Sequence, residues 1–350
     1  MNEVRPSPHW ARIAPLPPDT PRPLWSVMIP TYHCAQYLRQ TLESVLQQAP
    51  DPQMMQIEVV DDHSTRDDPA AVVAELGCGR VAFHQQPQNV GHIRNFDTCL
   101  QRARGRLVHL LHGDDLVRDG FYRQLQGAFQ TSPTIGAAFC RHIYMKEDGH
   151  WDTISRLERS TSGVLPDWLP RIAAGQRLVT PAMVVRREVY ERLGGFDRRI
   201  AYNGEDWEMW VRIAAHYPIW YEVEPLAVYR ANGPGSLTAR ARRTGADIRD
   251  MCRATAIIEE YLPPGPAHAA ANRARETYAH WAINTAREQL GRRHLRAAVA
   301  QVREGLRCSC APRVLGRLLV LLGWAVLGGL RLLLRQRAAP PDGWARREEG

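Results

Sequence analysis

Over the first 230 residues, short apolar runs alternate with amphipathic stretches; beyond Pro234 the chain changes to long helical periods. Residues 25–30, 56–61, 80–84 and 106–112 have the length and composition of buried strands, as do 135–144, 182–186 and 219–229. Residues 35–48, 69–76 and 91–104 carry helical spacing between the first four. Strand–helix alternation of this kind predicts an α/β sheet. Residues 151–176 show no clean period and are expected to form a loop with one short helix, a length of loop that often carries function. Residues 236–261, 267–290 and 294–307 predict a helical extension, its first two helices parted by Leu262-Pro263-Pro264-Gly265-Pro266. The expected organisation is a flexible lead-in (1–23), an α/β domain (24–238), the helical extension (239–311), a basic apolar helix (312–337) and a disordered tail (338–350).

The last helix changes the picture of where the chain works. Residues 318–330 are wholly apolar but fall short of the roughly 20 positions a spanning helix needs. Extending to 314–334 takes in Arg317 and Arg331. At 100° per residue Arg313, Arg317, Arg331 and Arg335 fall within about 40° of each other, a basic stripe suited to lying on anionic lipid. A short span with snorkelling arginines and a helix that packs within a soluble fold are the alternatives. The net charge of +8 is almost entirely arginine, with Lys146 the sole lysine; Glu288 and Glu304 are the only acids between Arg287 and Arg337. An anionic membrane surface is the expected partner, and nucleic acid is not, because aromatic and basic residues do not interleave there. The seven cysteines are scattered, without a CxxC pair or zinc spacing, so reduced cytosolic thiols are expected. The proline-rich N-terminal residues lack the apolar core of a signal peptide. Localisation is therefore expected in the cytoplasm, peripheral to or short-anchored at the inner face of the membrane.

Candidate chemistry lies at the strand ends, where open α/β sheets bind ligands. The first strand gives Pro30-Thr31-Tyr32, the second Asp61-Asp62-His63-Ser64-Thr65, and the fourth His112-Gly113-Asp114-Asp115. If these strands are neighbours, four carboxylates converge, and their repulsion requires a divalent cation or hydrogen-bond donors. Oxygen ligands suit Mg2+ or Mn2+, commonly shared with substrate phosphates, so a diphosphate is a natural partner. Each piece also has a plainer role: VVDDHST can cap a helix, and HGDD can be a turn. A phospho-receiver would need a lysine late in the sheet, and no GxGxxG or GxxxxGK[ST] loop is present.

Together, SVMIPTYHCAQYLRQTLESVLQQ, IEVVDDHST, NVGHIRNFD, LLHGDDLV, VVRREVYERLGGFD and EDWEMWVR strongly resemble the family 2 glycosyltransferases over about residues 24–238. The resemblance implies a GT-A fold, a three-layer α/β/α sandwich with a mixed, mainly parallel sheet. It also implies inverting transfer of a sugar from a nucleotide-diphospho-sugar, with Mn2+ or Mg2+ as cofactor. The acceptor would be a saccharide or a lipid-linked molecule in polysaccharide or glycolipid assembly. A non-catalytic nucleotide-sugar-binding or scaffolding protein is the alternative.

Carried onto these residues, the resemblance places Pro30, Thr31 and Tyr32 in the nucleotide pocket and Asp61, with Asp62 beside it, on the base and ribose. A carboxylate that accepts an imide N–H suits uracil, so a UDP-sugar is favoured, although guanine carries such a donor too. Arg94 would face the nucleotide or else pair with a nearby aspartate. Asp114 is the implied metal ligand and Asp115 a supporting acid. His112 stands where the commonest pattern has an acid, and a hydrogen bond to a neighbouring loop is read over ligation. Asp206 is the implied general base, Glu205 orients the acceptor, and Trp207 and Trp210 stack on a sugar face or pack in the core. Arg230 would bind diphosphate. Asn232 replaces the histidine expected after Tyr229-Arg230, which leaves Asp114 as the protein's share of the coordination.

Overall fold

The computed structural model describes residues 7–231 and 237–337, with side chains as far as Val326. The chain runs through β1 (Trp25–Thr31), α1 (Ala35–Leu46), β2 (Met55–Asp61), α2 (Pro69–Gly77), β3 (Ala82–Gln85), α3 (His92–Arg102) and β4 (Leu107–Leu110). It continues through β5 (Leu116–Val117), α4 (Phe121–Thr131), β6 (Ala137–Met145), β7 (Trp151–Ile154), β8 (Gly163–Val164) and α5 (Trp168–Ala173). Next come β9 (Met183–Arg186), α6 (Arg187–Leu193), α7 (Glu205–His216) and β10 (Ile219–Arg230). Helices α8 (Leu237–Thr244), α9 (Ala246–Tyr261), α10 (Pro266–Gly291), α11 (Leu295–Cys308) and α12 (Pro312–Arg337) follow.

The sheet order is β3-β2-β1-β4-β9-β6-β10-β5, with β7 on β6 and β8 on β10. The β3-β2-β1-β4 half is parallel, and β9 enters antiparallel between β4 and β6. Side chains alternate across β1: Trp25, Val27 and Ile29 join α1, α2 and α4 in one core, while Met28 joins α3, α6 and α7 in the other. The result is the expected α/β/α sandwich followed by helices. The interval 151–176 is more ordered than expected, since it supplies two edge strands and α5. The expected 236–261 helix is broken at Gly245, whose φ of +74° starts a new helix.

Three expectations need correction. The lead-in is docked: Ala11 and Ile13 are buried in the core, Trp10 Nε1 donates to Asp197 (3.0 Å), and the Arg212 guanidinium lies over the Trp10 ring. Two apolar residues between prolines sufficed to fill a gap that no periodicity announced. The helical extension is not a separate unit either, because α9 and α10 share one core with α3, α6 and α7. Finally, Cys252 and Cys308 form a disulfide, because packing of α9 against α11 brings their Cα atoms to 5.6 Å.

Among its described side chains, helix α12 buries a narrow stripe, Val314 and Leu321, with Leu318 partly covered. Leu315, Leu319, Val320, Leu322, Trp324 and Val326 are exposed. Among the described residues no helix is long and apolar enough to cross a membrane. The side chains of Arg331 and Arg335 and the tail from 338 lie outside the described residues.

Ile13→Ala should lower stability by about 2–4 kcal/mol, the cost of a buried large-to-small change, read as a fall in the urea midpoint at constant slope. A truly flexible lead-in would leave the midpoint unmoved.

Candidate active site

Strands β2, β1 and β4 lie side by side, so their carboxyl ends open on one crevice. Thr31 pairs with Asp61 in register, and the Gly113 N–H donates to the Pro30 carbonyl (3.0 Å), drawing the end of β4 over β1. The approach explains why a glycine sits inside His112-Gly113-Asp114-Asp115. A Cβ at Gly113 would lie 2.5 Å from Thr31 Cγ2 and 2.9 Å from Cys34 Sγ.

The two acidic pairs are neutralised in different ways. Asp61 accepts from Thr31 Oγ1 (3.1 Å), the Ser64 N–H (2.8 Å), Ser64 Oγ (2.6 Å) and Gln85 Nε2 (3.1 Å). Asp62 accepts from the Val90 N–H (2.7 Å), the Gly91 N–H (2.9 Å) and Asn89 Nδ2 (3.0 Å), which folds the Asn89-Val90-Gly91 turn against β2. Both carboxylates are buried and hold loops, a role the sequence treated only as the plainer alternative. Tyr32 is 42% exposed at the rim, its ring tilted against that of His33 with centroids 3.9 Å apart, and Arg94 is exposed on α3 near Asp97.

No such donor set serves the second pair. Asp115 is fully buried; its Oδ1 accepts the Arg230 N–H (2.8 Å), while its Oδ2 lies 3.3 Å from His112 Nδ1. Asp115 Oδ2 and His112 Nε2 are buried atoms without a hydrogen-bond partner among the described residues. Burial, then the Asp115 charge, raises the Asp114 carboxyl to about 6. Ligand atoms of His112, Asp114 and Asp115 all lie within 4.8 Å of one another, and two undercompensated carboxylates with a free ring nitrogen suit a divalent cation. Arg230 does not reach into this space. Its Nε donates to the Asp114 carbonyl (3.0 Å), Nη1 to the Glu147 carbonyl (3.3 Å) and Nη2 to Gln40 Oε1 (2.7 Å), with the guanidinium over Tyr37. Here it clamps the β4–β5 turn to α1 and the β6–β7 hairpin. A cavity of about 420 Å³ adjoins that clamp, lined by Tyr144, Lys146, Glu147, Asp152 and Ala231 among others. Asn232 lies outside the described residues.

The third group of acids opens α7. Gly204, at φ +93°, begins the helix where a Cβ would meet Met251 Sδ at 2.7 Å, and Asp250 on α9 accepts the N–H groups of Ala201 (2.9 Å) and Tyr202 (2.7 Å). The helical extension thus sets the position of Glu205 and Asp206. Asp206 is buried and accepts from Gln176 Nε2 (3.0 and 2.9 Å) and Thr180 Oγ1 (3.4 Å). Burial, then the neighbouring Glu205 charge, raises it to about 7. Burial also pushes Glu205 up, but His92, 3.5 Å from its Oε1, outweighs that and holds it below the usual range. His112 draws Asp114, Glu205 and Asp206 all downward, so its ring lies between the two acid groups in charge terms.

Trp207 is not an acceptor platform. It is fully buried, donates from Nε1 to the Ile172 carbonyl (2.6 Å) and meets Tyr278 of α10 edge-on, while Trp210 is buried in the same core. On a helix whose first two residues face the crevice, positions 207 and 210 turn inward. The structure adds Gln176, Thr180 and His92. His92 stood inside the NVGHIRN stretch, but Gln176 and Thr180 lie where no periodicity or motif marks them. Gln176 is fixed by its own N–H donating to Tyr278 Oη (3.0 Å), a contact 102 residues away in sequence.

Residues 26–194 match the family model described as Glycosyl transferase family 2. An uncharacterized protein of Mycobacterium tuberculosis is 29% identical over 262 residues, 71% of this chain and 80% of that one. Among solved structures, Staphylococcus aureus TarS 1–349 in complex with UDP-GlcNAc aligns at a TM-score of 0.56 and 14% identity, covering 81% of this chain and 91% of that one. The mannosyltransferase PcManGT of Pyrobaculum calidifontis, in complex with GDP-Man and Mn2+, aligns at 0.55 and 18% identity, covering 91% and 83%. At these identities the structural likeness establishes the fold, which is GT-A.

Gly113→Ala should destabilise the protein by about 1–3 kcal/mol through overpacking at the β1–β4 contact, seen as a lower Tm. Adding Thr31→Ser removes the opposing Cγ2 but keeps the hydroxyl, and should restore part of the loss. Equal Tm values for Gly113→Ala and wild type would refute the contact argument.

Proposed function

Because the chain belongs to glycosyl transferase family 2, we propose that it transfers a sugar from a nucleotide-diphospho-sugar, a UDP-sugar in the favoured case, to an acceptor hydroxyl with inversion at the anomeric carbon. The observation that carries this reading is Asp206, a carboxyl raised to about 7 by burial and the Glu205 charge in a slot where Gln176 and Thr180 hold it, close enough to Asp114 that Tyr229 feels both charges. A raised carboxyl is a stronger proton acceptor, and near neutral pH a large fraction is still ionised. Asp206 would take the proton of the acceptor hydroxyl as that oxygen attacks, while Gln176 and Thr180 hold the carboxylate in place. Glu205, whose Oε2 is buried without a hydrogen-bond partner, would accept from a second acceptor hydroxyl. Pro30, Thr31 and Tyr32 would form the nucleotide wall, with Asp61 and Asp62 shaping it through the loops they hold. A divalent ion at His112-Gly113-Asp114-Asp115, Mn2+ or Mg2+, would neutralise charge developing on the leaving diphosphate.

The acceptor class follows from α12. Six exposed apolar side chains beside exposed Arg313 and Arg317 form a surface suited to lie in an anionic lipid interface. A transferase held there would act on a lipid-linked acceptor or a growing surface polysaccharide, at the cytoplasmic face where nucleotide sugars are available. The Cys252–Cys308 bridge weighs in the other direction, since reducing compartments keep such pairs as thiols.

Asp206→Asn should cut turnover about 10²–10⁴-fold while calorimetry still shows nucleotide-sugar binding. In the wild type, kcat/KM should rise with pH through about 7, as Asp206 loses its proton, and that limb should vanish in the variant. A variant that keeps full activity would overturn the assignment. Loss of donor binding together with turnover would instead point to a structural role for Asp206.

The full chain should co-sediment with phosphatidylglycerol-containing vesicles and not with neutral ones. Leu319→Glu with Val326→Glu should abolish co-sedimentation and leave turnover of a soluble acceptor intact. Unchanged sedimentation would remove α12 as the contact.

A further inference from the structure

The crevice contains two solutions to the same electrostatic problem. Asp61 and Asp62 receive seven hydrogen bonds from protein donors. Asp115 receives one from the Arg230 main chain, and the Arg230 guanidinium is committed to Asp114 O, Glu147 O and Gln40 instead of to either carboxylate. The side chain that faces this second pair is His112, whose Nδ1 lies 3.3 Å from Asp115 Oδ2.

His112 is placed to share in that balance. Its ring is stacked on Phe96, with centroids 5.2 Å apart and planes within 12°, so its orientation is set by packing. Its Nδ1 lies 3.3 Å from Asp115 Oδ2, ligand atoms of His112, Asp114 and Asp115 all fall within 4.8 Å of one another, and Nε2, the other ring nitrogen, is buried without a hydrogen-bond partner among the described residues. Asp115, its neighbour in the cluster, is fully buried, and its Oδ2 has His112 Nδ1 as its one partner among the described residues. A strand-end histidine that merely tied down a loop would spend a nitrogen on that loop. Neither ring nitrogen of His112 contacts a loop carbonyl or a main-chain N–H among the described hydrogen bonds.

We propose that His112 is itself a ligand of the divalent cation, making the site a nitrogen–oxygen–oxygen set with Asp114 and Asp115 in place of one built from carboxylates alone. This rests on the metal-dependent reading above and deepens it. The consequence is selectivity: an imidazole nitrogen favours a transition ion such as Mn2+ over Mg2+, which prefers oxygen ligands. The residue that departs from the acidic pattern thereby sets which ion the site prefers.

The test is pulsed electron paramagnetic resonance of Mn2+ bound to the full chain with UDP, which reads magnetic nuclei bonded to the ion. Wild type should show nitrogen-14 modulation that changes to the nitrogen-15 pattern when only histidine is isotopically labelled. His112→Asp should keep Mn2+ and lose the modulation, and its preference for Mn2+ over Mg2+ in competition titrations should shrink. The wild-type isotope comparison stands even if that variant does not fold, since among the described residues no other histidine joins this cluster. Bound Mn2+ without a histidine signal, or a signal that survives His112→Asp, would overturn the assignment and leave the metal-dependent reading standing. Absence of any Mn2+ binding by wild type would overturn that reading and this inference with it.

Discussion

Mutual repulsion among acids at one edge of a sheet is the constraint around which this molecule is organised. Three carboxylate pairs, at the end of β2, after β4 and at the start of α7, lie at or near one crevice, and each is mostly screened from water. Unscreened, such charges would drive the strand ends apart or force protonation. The first pair is quenched by loop donors, which turns the repulsion into the force that folds the Ser64 and Asn89-Val90-Gly91 turns. Burial raises a carboxyl in each pair, Asp62 included, but Asp114 reaches about 6 and Asp206 about 7. Under the proposed function these are the groups that would meet an outside cation and an outside proton.

Keeping those groups undercompensated demands rigid support, and the support comes from far along the chain. Helix α9 holds the loop before α7 through Asp250 and packs Met251 against the Gly204 backbone. Helix α10 places Tyr278 on both Trp207 and Gln176. The helical extension is therefore a buttress for Glu205 and Asp206, and its removal would release α7. Trp207 and Trp210, which the motif alone could assign to a sugar face, are the apolar half of the same buttress.

His112 links the two undercompensated groups. It lies beside Asp115, stacks on Phe96, and lowers the carboxyls of Asp114, Glu205 and Asp206 together. Phe96 also meets His92 edge-on, and His92 pairs with Glu205, so α3 couples the Asp114–Asp115 side of the crevice to the Glu205 side. A change at either histidine is felt on both sides.

The order of strands and helices and the candidate acids were legible in the sequence, because hydrophobic period and strand-end chemistry are local properties; the neighbouring of β2, β1 and β4 stood only as a condition until the sheet order supplied it. The likeness of six motifs to family 2 supplied roles for Asp114, Glu205 and Asp206. What the sequence could not show is which acids are satisfied. Asp61 and Asp114 look alike in a string, yet donors from Thr31, Ser64 and Gln85 reach the first while the Arg230 guanidinium turns away from the second. The docking of Ile13, the Cys252–Cys308 contact and the Gln176–Asp206 bond were equally hidden. Each joins residues with no periodic or sequential relation, and their meeting depends on how three layers and an added helical bundle pack in space.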